Sequence, residues 1–508
     1  MRVFTLLVFL IVSHLLLLGQ ETYSILGRKH SVRINANGSI GIDPSDNSPS
    51  SFYNNDSNLP LLRQAGLWIV AEDTDGNFHT ATHYVNAKDS FDFWAGPVDT
   101  LTGQTGDEPK WNRTWKITVE DIESHKKDFN EPGYKVPQNI DSWPGNGEQG
   151  YSRYLAPFND YNQNGIYDPE NGDFPIVKGT NNVYCIFNDL KEEHNASFGQ
   201  EIGIEVFMNS YDFEKSQEIA ETFIEYIIVN RRPTDYKSVK VGFFISGACG
   251  KVDDNYAGTL NHLLPTIFLY NGDDIDEGHF QDSTPYISAT FLNENLESSI
   301  AFNDTKSKNG TPVLNQHFVN YSSSIWKDGS PLTIGEDGTT GSTNTSYIFA
   351  QSSDGSDDWS EQKELNAKGG RTIVGFMNSE EMNQNDYIKM NVVLNAGRTG
   401  NRSNISKLIA QESVASFRKY RELSNAKSGL KNLEIKTFPN PSNGKFTIHL
   451  NRQILGIQIS DIQGNTVLSK EINKKYKITC NTNLPLGVYI LQLRTKEGTV
   501  TSKLCIRP

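Results

Sequence analysis

The sequence predicts a mainly β protein: a β-sandwich-type body with long loops and one helix near residues 403–423, then a C-terminal immunoglobulin-like β-sandwich. Three observations carry this. Apolar residues recur with period two in short runs, as in Phe446, Ile448 and Leu450. The 21 Tyr, 26 Phe and 7 Trp suit pleated surfaces. The 41 Gly and many Asn, Asp and Ser residues place turn chemistry at short intervals. At 508 residues the chain exceeds one ordinary core. It divides into a signal peptide over 1–20, a β-rich region over 28–200, a second over 201–425 and a C-terminal unit over 430–508.

Met1 to Gln20 reads as a signal peptide, with Arg2 as its positive start and Val3–Leu18 as its apolar run. Those 16 residues are short for a membrane span, and no later run reaches the roughly 18 apolar residues a span requires. No transmembrane segment is therefore expected once the signal is removed. Val32, Ile34 and Ile40–Ile42 mark strands, and the Ser-, Asn- and Asp-rich stretch Asp46–Asn58 is a loop. Gly66–Ala71 is a strand turned by Asp73–Asn77 into Phe78–Val85, a hairpin by composition. Phe223–Asn230 and Ser238–Ser246 read as paired strands around a polar turn, and Ile267–Tyr270 as another strand. Residues 300–360, dominated by Gly, Ser, Thr, Asn and Asp, read as long surface loops. Tyr387–Leu394 is a strand. Ser403–Leu423 then shifts to helical spacing, with Ile405, Leu408, Ile409, Val414 and Phe417 as its apolar stripe. Ser424–Asn432 is a polar linker. Beyond it, the alternation of Phe446–Leu450, Ile457–Ile459 and Tyr489–Leu493 predicts six or seven short strands.

The net charge of −14 is unevenly spread. Residues 431–508 carry 12 Lys and Arg against 4 Asp and Glu, or +8, which leaves −22 for residues 1–430. So acidic a body repels nucleic acid, but its carboxylates can hold hard cations. The four cysteines, Cys185, Cys249, Cys480 and Cys505, show neither CxxC nor metal spacing. Two readings stay open: buried thiols throughout, or a Cys480–Cys505 bridge in the tail.

The best candidate site is Asp160-Tyr161-Asn162-Gln163-Asn164-Gly165-Ile166-Tyr167-Asp168. Oxygen side chains at positions 1, 3, 5 and 9, with Gly at 6, follow the rule of calcium loops: alternation aims successive oxygens inward, and Gly permits the bend. The backbone carbonyl of Ile166 would be the seventh-position ligand. Asn171 stands where a bidentate Glu is usual, so Asp173 is expected to complete the set of Asp160, Asn162, Asn164, Ile166 and Asp168. The cofactor expected is calcium, as a structural clamp. The plainer alternative is a solvated turn held by its own Asx hydrogen bonds.

Other constellations are weaker. Asp253-Asp254-Asn255 with Asp273, Asp274 and Asp276 could form a second cation site, with a plain acidic loop as the default. His79 and His83 share a strand face but lack an HExxH context, which leaves zinc-protease chemistry unsupported. Trp94, Trp111, Trp115, Trp143 and Trp326 could stack on sugars, with core packing as the default. No nucleophile elbow, phosphate loop or dinucleotide fingerprint is present. Paired carboxylates for a glycosidase cannot be assigned among 61 acids.

Three motifs of the tail belong together: Pro439-Asn440-Pro441 at its entry, Asp461-Ile462-Gln463-Gly464, and Leu484-Pro485-Leu486-Gly487-Val488-Tyr489. Their order resembles the type A C-terminal sorting domain of the type IX secretion system of Bacteroidetes-group bacteria. The resemblance implies export through the periplasm to the medium or the outer-membrane cell surface, with the secretion machinery as partner of residues 430–508. The segments Asp92–Pro97, Trp111–Ile117, Ser142–Gly147, Asn159–Asp173, Gly203–Val206, Phe223–Asn230 and Trp326–Gly329, with the helix near residue 410, resemble exported proteins carrying this tail. Those bring no activity with them. The expected function is thus a calcium-stabilised binding, adhesive or structural module with a glycan or protein ligand. The alternative is a secreted glycan or peptide hydrolase with unassigned carboxylates.

Overall fold

The computed structural model describes residues 22–27, 29–100, 102–106, 109–147, 150–213, 220–260, 264–274, 276, 280–281, 283–353, 359–425, 435–462, 465–495 and 498–507. The expected signal peptide and most of the expected linker at 424–432 lie outside these residues.

The protein is mainly β, and two sheets build its body. The larger has ten strands. Eight lie side by side in the order Ala350–Gln351, Asn255–Leu260, Thr266–Asn271, Thr284–Phe291, Tyr387–Thr399, Ala220–Asn230, Ile204–Asp212 and Asn181–Asn188. Trp94–Ala95 and Trp115–Thr118 both pair with the last of these. The smaller sheet has six strands: Leu296–Asn303, Arg371–Met377, Tyr236–Gly247, Leu62–Asp73 and Phe78–Thr82, with Glu380–Met382 beside Tyr236–Gly247. The expected boundary at 200/201 falls between Asn181–Asn188 and Ile204–Asp212, which are hydrogen-bonded neighbours.

The expected hairpin forms, with Trp68 opposite Thr82. Its turn is closed by Asp73, whose Oδ1 accepts the amides of Asp75 and Asn77 at 2.9 and 2.8 Å. The expected pairing of Phe223–Asn230 with Ser238–Ser246 does not form. The turn between them carries the chain from the ten-stranded sheet to the six-stranded one. The reason lies in the composition of the first run. Ile224, Tyr226 and Ile228 face one core while Phe223 and Val229 face others. A strand apolar on both faces belongs in the middle of a covered sheet.

That covering makes the body three-layered. One face of the ten-stranded sheet packs on the six-stranded sheet. On its other face, Trp143, Tyr154 and Phe158 cover Trp115, Tyr184, Ile186 and Phe207 at one end. The helix Ile405–Asn425 covers the other end, setting Ile405, Ile409 and Ala410 on Tyr256, Phe268 and Tyr286. Within the helix's contact face, Ser413 and Ser416 are fully buried and bond to the Thr266 and Thr290 hydroxyls and to Glu221. The apolar pattern gave no sign of these polar contacts.

Residues 300–360 do more than loop over the surface. Phe318, Tyr321, Trp326, Leu332 and Ile348 are buried and anchor the segment to the body's main core. Trp68 is fully buried against the rings of Tyr84, Phe302, Phe318, Tyr321 and Phe376, so sparse anchors suffice to hold a polar segment down.

The C-terminal unit is a five-stranded antiparallel sheet. Six or seven strands become five because Lys445–Ser460 runs through both the Phe446–Leu450 and Ile457–Ile459 repeats, bending at register shifts instead of ending. Among the described residues its partner Thr466–Asn481 pairs with this strand alone, lies at the sheet's edge, and exposes Lys470, Lys474, Lys475 and Lys477. All four cysteines are free, so the Cys480–Cys505 bridge is not formed.

Candidate functional site

The Asp160 loop projects from a short pairing of Phe158–Asn159 with Phe174–Pro175. It folds back on itself through Asx turns. Asp160 accepts the amides of Asn164 and Gly165 at 3.1 and 2.8 Å, and Asn164 Oδ1 accepts the amide of Ile166 at 2.8 Å. Gly165, at φ +77°, makes the bend possible, and its carbonyl is held by Tyr154 Oη at 3.0 Å. Asp168 sits at the centre, accepting side-chain amides of Asn162, Asn164 and Asn171 at 3.1, 2.8 and 2.9 Å. Asp173 is buried beneath and accepts the amides of Tyr161 and Asp168 at 2.8 and 2.9 Å.

The expected residues Asp160, Asn162, Asn164, Asp168 and Asp173 thus come together in one hydrogen-bonded loop, with the side-chain amides of Asn162 and Asn164 directed at the Asp168 carboxylate. The Ile166 side chain points to solvent, 54% exposed. Among the described residues, no three His, Cys, Asp or Glu side chains are grouped to hold a metal ion. A cation in this loop would therefore draw on amide and backbone oxygens as well as carboxylates. Burial pushes the Asp173 carboxyl up to about 6, and the neighbouring Asp168 adds to the rise. Burial also acts upward on Asp168, but the amide donors of Asn171, Asn164 and Asn162 outweigh it and hold that acid below its ordinary value.

The histidines single out a different place. His79 and His83 are structural: His83 accepts the Leu67 amide at 3.1 Å, contacts the Asn37 carbonyl at 2.8 Å through its other nitrogen, and is pushed down to about 4 by burial. Unforeseen from the sequence is His194, buried between Asp92 and Asp189 at 4.0 and 3.8 Å. Its ring nitrogens lie 2.7 and 2.8 Å from the carbonyls of Thr80 and Asp189. Two carbonyl partners require two N–H donors, hence an imidazolium. Burial opposes that charge, but Asp189 and Asp92 outweigh it and raise the pKa. Each carboxylate also accepts three backbone amides, from Thr82, Ala196 and Ser197 and from Ile202, Gly203 and Ile204. This ion triad joins three distant stretches of chain.

Trp111, Trp115, Trp143 and Trp326 are buried, so these four pack the core and do not offer a sugar-stacking face; Trp94 is half-buried. A cleft of about 990 Å³ opens between body and C-terminal unit and is lined by Tyr151, Arg153, Arg231, Asp461, Leu486 and Tyr489 among others. The two units also touch directly. Asn465 Oδ1 accepts the Phe158 amide at 3.1 Å, Ile462 and Val488 join the apolar cluster of Trp143 and Phe158, and Lys503 lies 3.4 Å from Asp386.

Residues 436–507 match the family described as the secretion system C-terminal sorting domain. This segment is a sorting domain of the type IX class, so the protein is handled by that secretion machinery and is secreted or attached to the cell surface. Among the described residues, no helix is long and apolar enough to cross a membrane. Comparison with curated proteins gives no match. Among solved structures, a polysaccharide lyase aligns with 60% of this chain at 7% identity and a TM-score of 0.17. The alignment spans 34% of that structure's length.

Proposed function

We propose that the body is a non-enzymatic surface module, adhesive, structural or ligand-binding, stiffened by a calcium ion clamped in the loop from Asp160 to Asp173. The observation that carries this reading is the convergence of Asp160, Asn162, Asn164, Asp168 and Asp173 on one loop anchored by Gly165. In the clamp, Asp160, Asp168 and Asp173 supply charge, Asn162 and Asn164 turn their amide oxygens inward, and the Ile166 carbonyl completes the set. Export by way of the periplasm belongs to the same proposal. The hydrolase alternative has less support. The acids with raised pKa values, Asp92, Asp189, Glu361 and Glu412 among them, are tied up in interior contacts and do not line the cleft between body and C-terminal unit.

Thermal unfolding in calcium and in chelator tests the clamp. With calcium at a hundredfold excess over its Kd, one site contributes about 2.7 kcal/mol. The double variant Asp160→Ala, Asp168→Ala should show a smaller calcium-dependent rise than the native chain. Equal rises in both would refute the clamp.

The clamp should also depend on pH. A carboxyl whose pKa is raised on folding favours the folded, protonated form between its ordinary value and about 6. Calcium needs the deprotonated form. Below about pH 6 the loop's apparent calcium affinity should therefore fall by roughly tenfold per pH unit. Calcium titrations at pH 5 and pH 7 that give the same affinity would remove Asp173 from the ligand set.

A further inference from the structure

The acidic residues Asp254 and Asp276, expected on a solvated loop, are buried, at 4% and 2% exposed. They meet at the open end of the pair formed by Asn255–Leu260 and Thr266–Asn271, where Asn255 stands opposite Asn271. A 3-10 turn, Val252–Asp254, delivers Asp254 to this point, and the Gly272 amide binds its carbonyl at 2.6 Å. Gly250, at φ +72°, admits the Asp276 carboxylate, because a Cβ there would lie 2.3 Å from its Oδ1.

Asp276 accepts the backbone amides of Lys251 and Phe280 at 3.1 and 2.8 Å, but around Asp254 and Asn255 acceptors outnumber donors. The Asn271 side-chain amide has two hydrogens but faces three oxygens: Asp254 Oδ1 at 3.0 Å, Asp276 Oδ1 at 3.3 Å and the Cys249 carbonyl at 3.2 Å. The second oxygen of Asp254 is buried with no hydrogen-bond partner, and so is Oδ1 of the fully buried Asn255. A buried carboxylate oxygen with no donor is costly unless a cation compensates it. The nearby Lys368 ammonium is held by Asp273 on the outer side. Burial, then Asp273 and Asp276, push the Asp254 carboxyl up to about 6.

The geometry points to a second, interior cation site, in which Asp254 and Asp276, with Asn255 Oδ1 and the Cys249 carbonyl beside them, hold a calcium-class divalent ion. The oxygen-only donor set selects a hard cation, and two carboxylates balance its charge. The ion would fasten the 3-10 turn to the end of a hairpin inside the ten-stranded sheet.

The test uses the full chain carrying Asp160→Ala and Asp168→Ala, which removes the surface loop from the count. Calorimetric titration with calcium alone should still show one bound equivalent, and thermal unfolding should still show a rise with calcium. Adding Asp254→Asn, which keeps the shape but removes the charge, should abolish both. Without calcium, Asp254→Asn should unfold no earlier than its parent, since it removes an uncompensated buried charge. No calcium equivalent in the loop variant overturns the site, as does binding that survives Asp254→Asn. Failure of the surface clamp would read differently: the native chain and the loop variant would then bind the same number of ions.

Discussion

His194→Leu is expected to lower the unfolding free energy by about 3–5 kcal/mol, the cost of removing one partner from a buried ion group. The leucine would leave Asp92 and Asp189 facing each other's field without the imidazolium, and would leave the Thr80 and Asp189 carbonyls without their N–H donors. His194→Gln separates the two losses, because it can still donate one hydrogen bond but carries no charge. It should recover only part of the stability. The sign of the pH dependence follows from the raised histidine pKa. The triad's contribution is fully present below the ordinary histidine value of about 6.5 and is lost as pH rises through the folded value. Denaturation curves at pH 6 and pH 9 should show the native chain losing more stability over this range than His194→Leu. Equal losses would show that His194 is neutral in the folded chain. A fall of less than 1 kcal/mol in the leucine variant at pH 6 would remove the triad from the body's main supports.

Removing residues 436–507 is expected to abolish surface display, with the truncated chain retained inside the outer membrane. The docking of Ile462 and Val488 on the cluster of Trp143 and Phe158 means truncation also uncovers apolar surface. Retention must therefore be distinguished from misfolding. The truncated body should keep a cooperative thermal transition, since its main core lies between its own two sheets. Fusing residues 436–507 to an unrelated periplasmic passenger should carry that passenger to the surface. Surface display of the truncated chain, or failure of the fusion to move a passenger whose tail is folded, would each refute the assignment of sorting to this segment alone.

Local features of the fold were legible in the sequence. The hairpin around Asp73–Asn77, the helix after residue 403 and the oxygens of the Asp160 loop each depend on residues a few positions apart. The sorting segment was legible for the same reason, since its motifs are short and ordered. What the sequence concealed is long-range. His194 reaches Asp92, a residue 102 positions earlier, and no period or spacing announces such a contact. Ala220–Asn230 and Tyr236–Gly247 look like a hairpin because they are neighbours in sequence, yet burial on both faces sends them to separate sheets. Asp254 and Asp276 sit in an acidic stretch whose composition fits a plain surface loop; the fold shows that Gly250 lets the Asp276 carboxylate turn inward.

The open flank of Thr466–Asn481 bears on how many copies of this protein can travel together. An unpaired edge of 16 residues is a template on which a second chain could add its own strand, and successive copies could polymerise during transit through a crowded envelope. The lysines at 470, 474, 475 and 477 set like charges against like whenever two such edges meet. The positive charge of the sorting segment, opposite in sign to that of the body, thus works against edge-to-edge pairing of two copies.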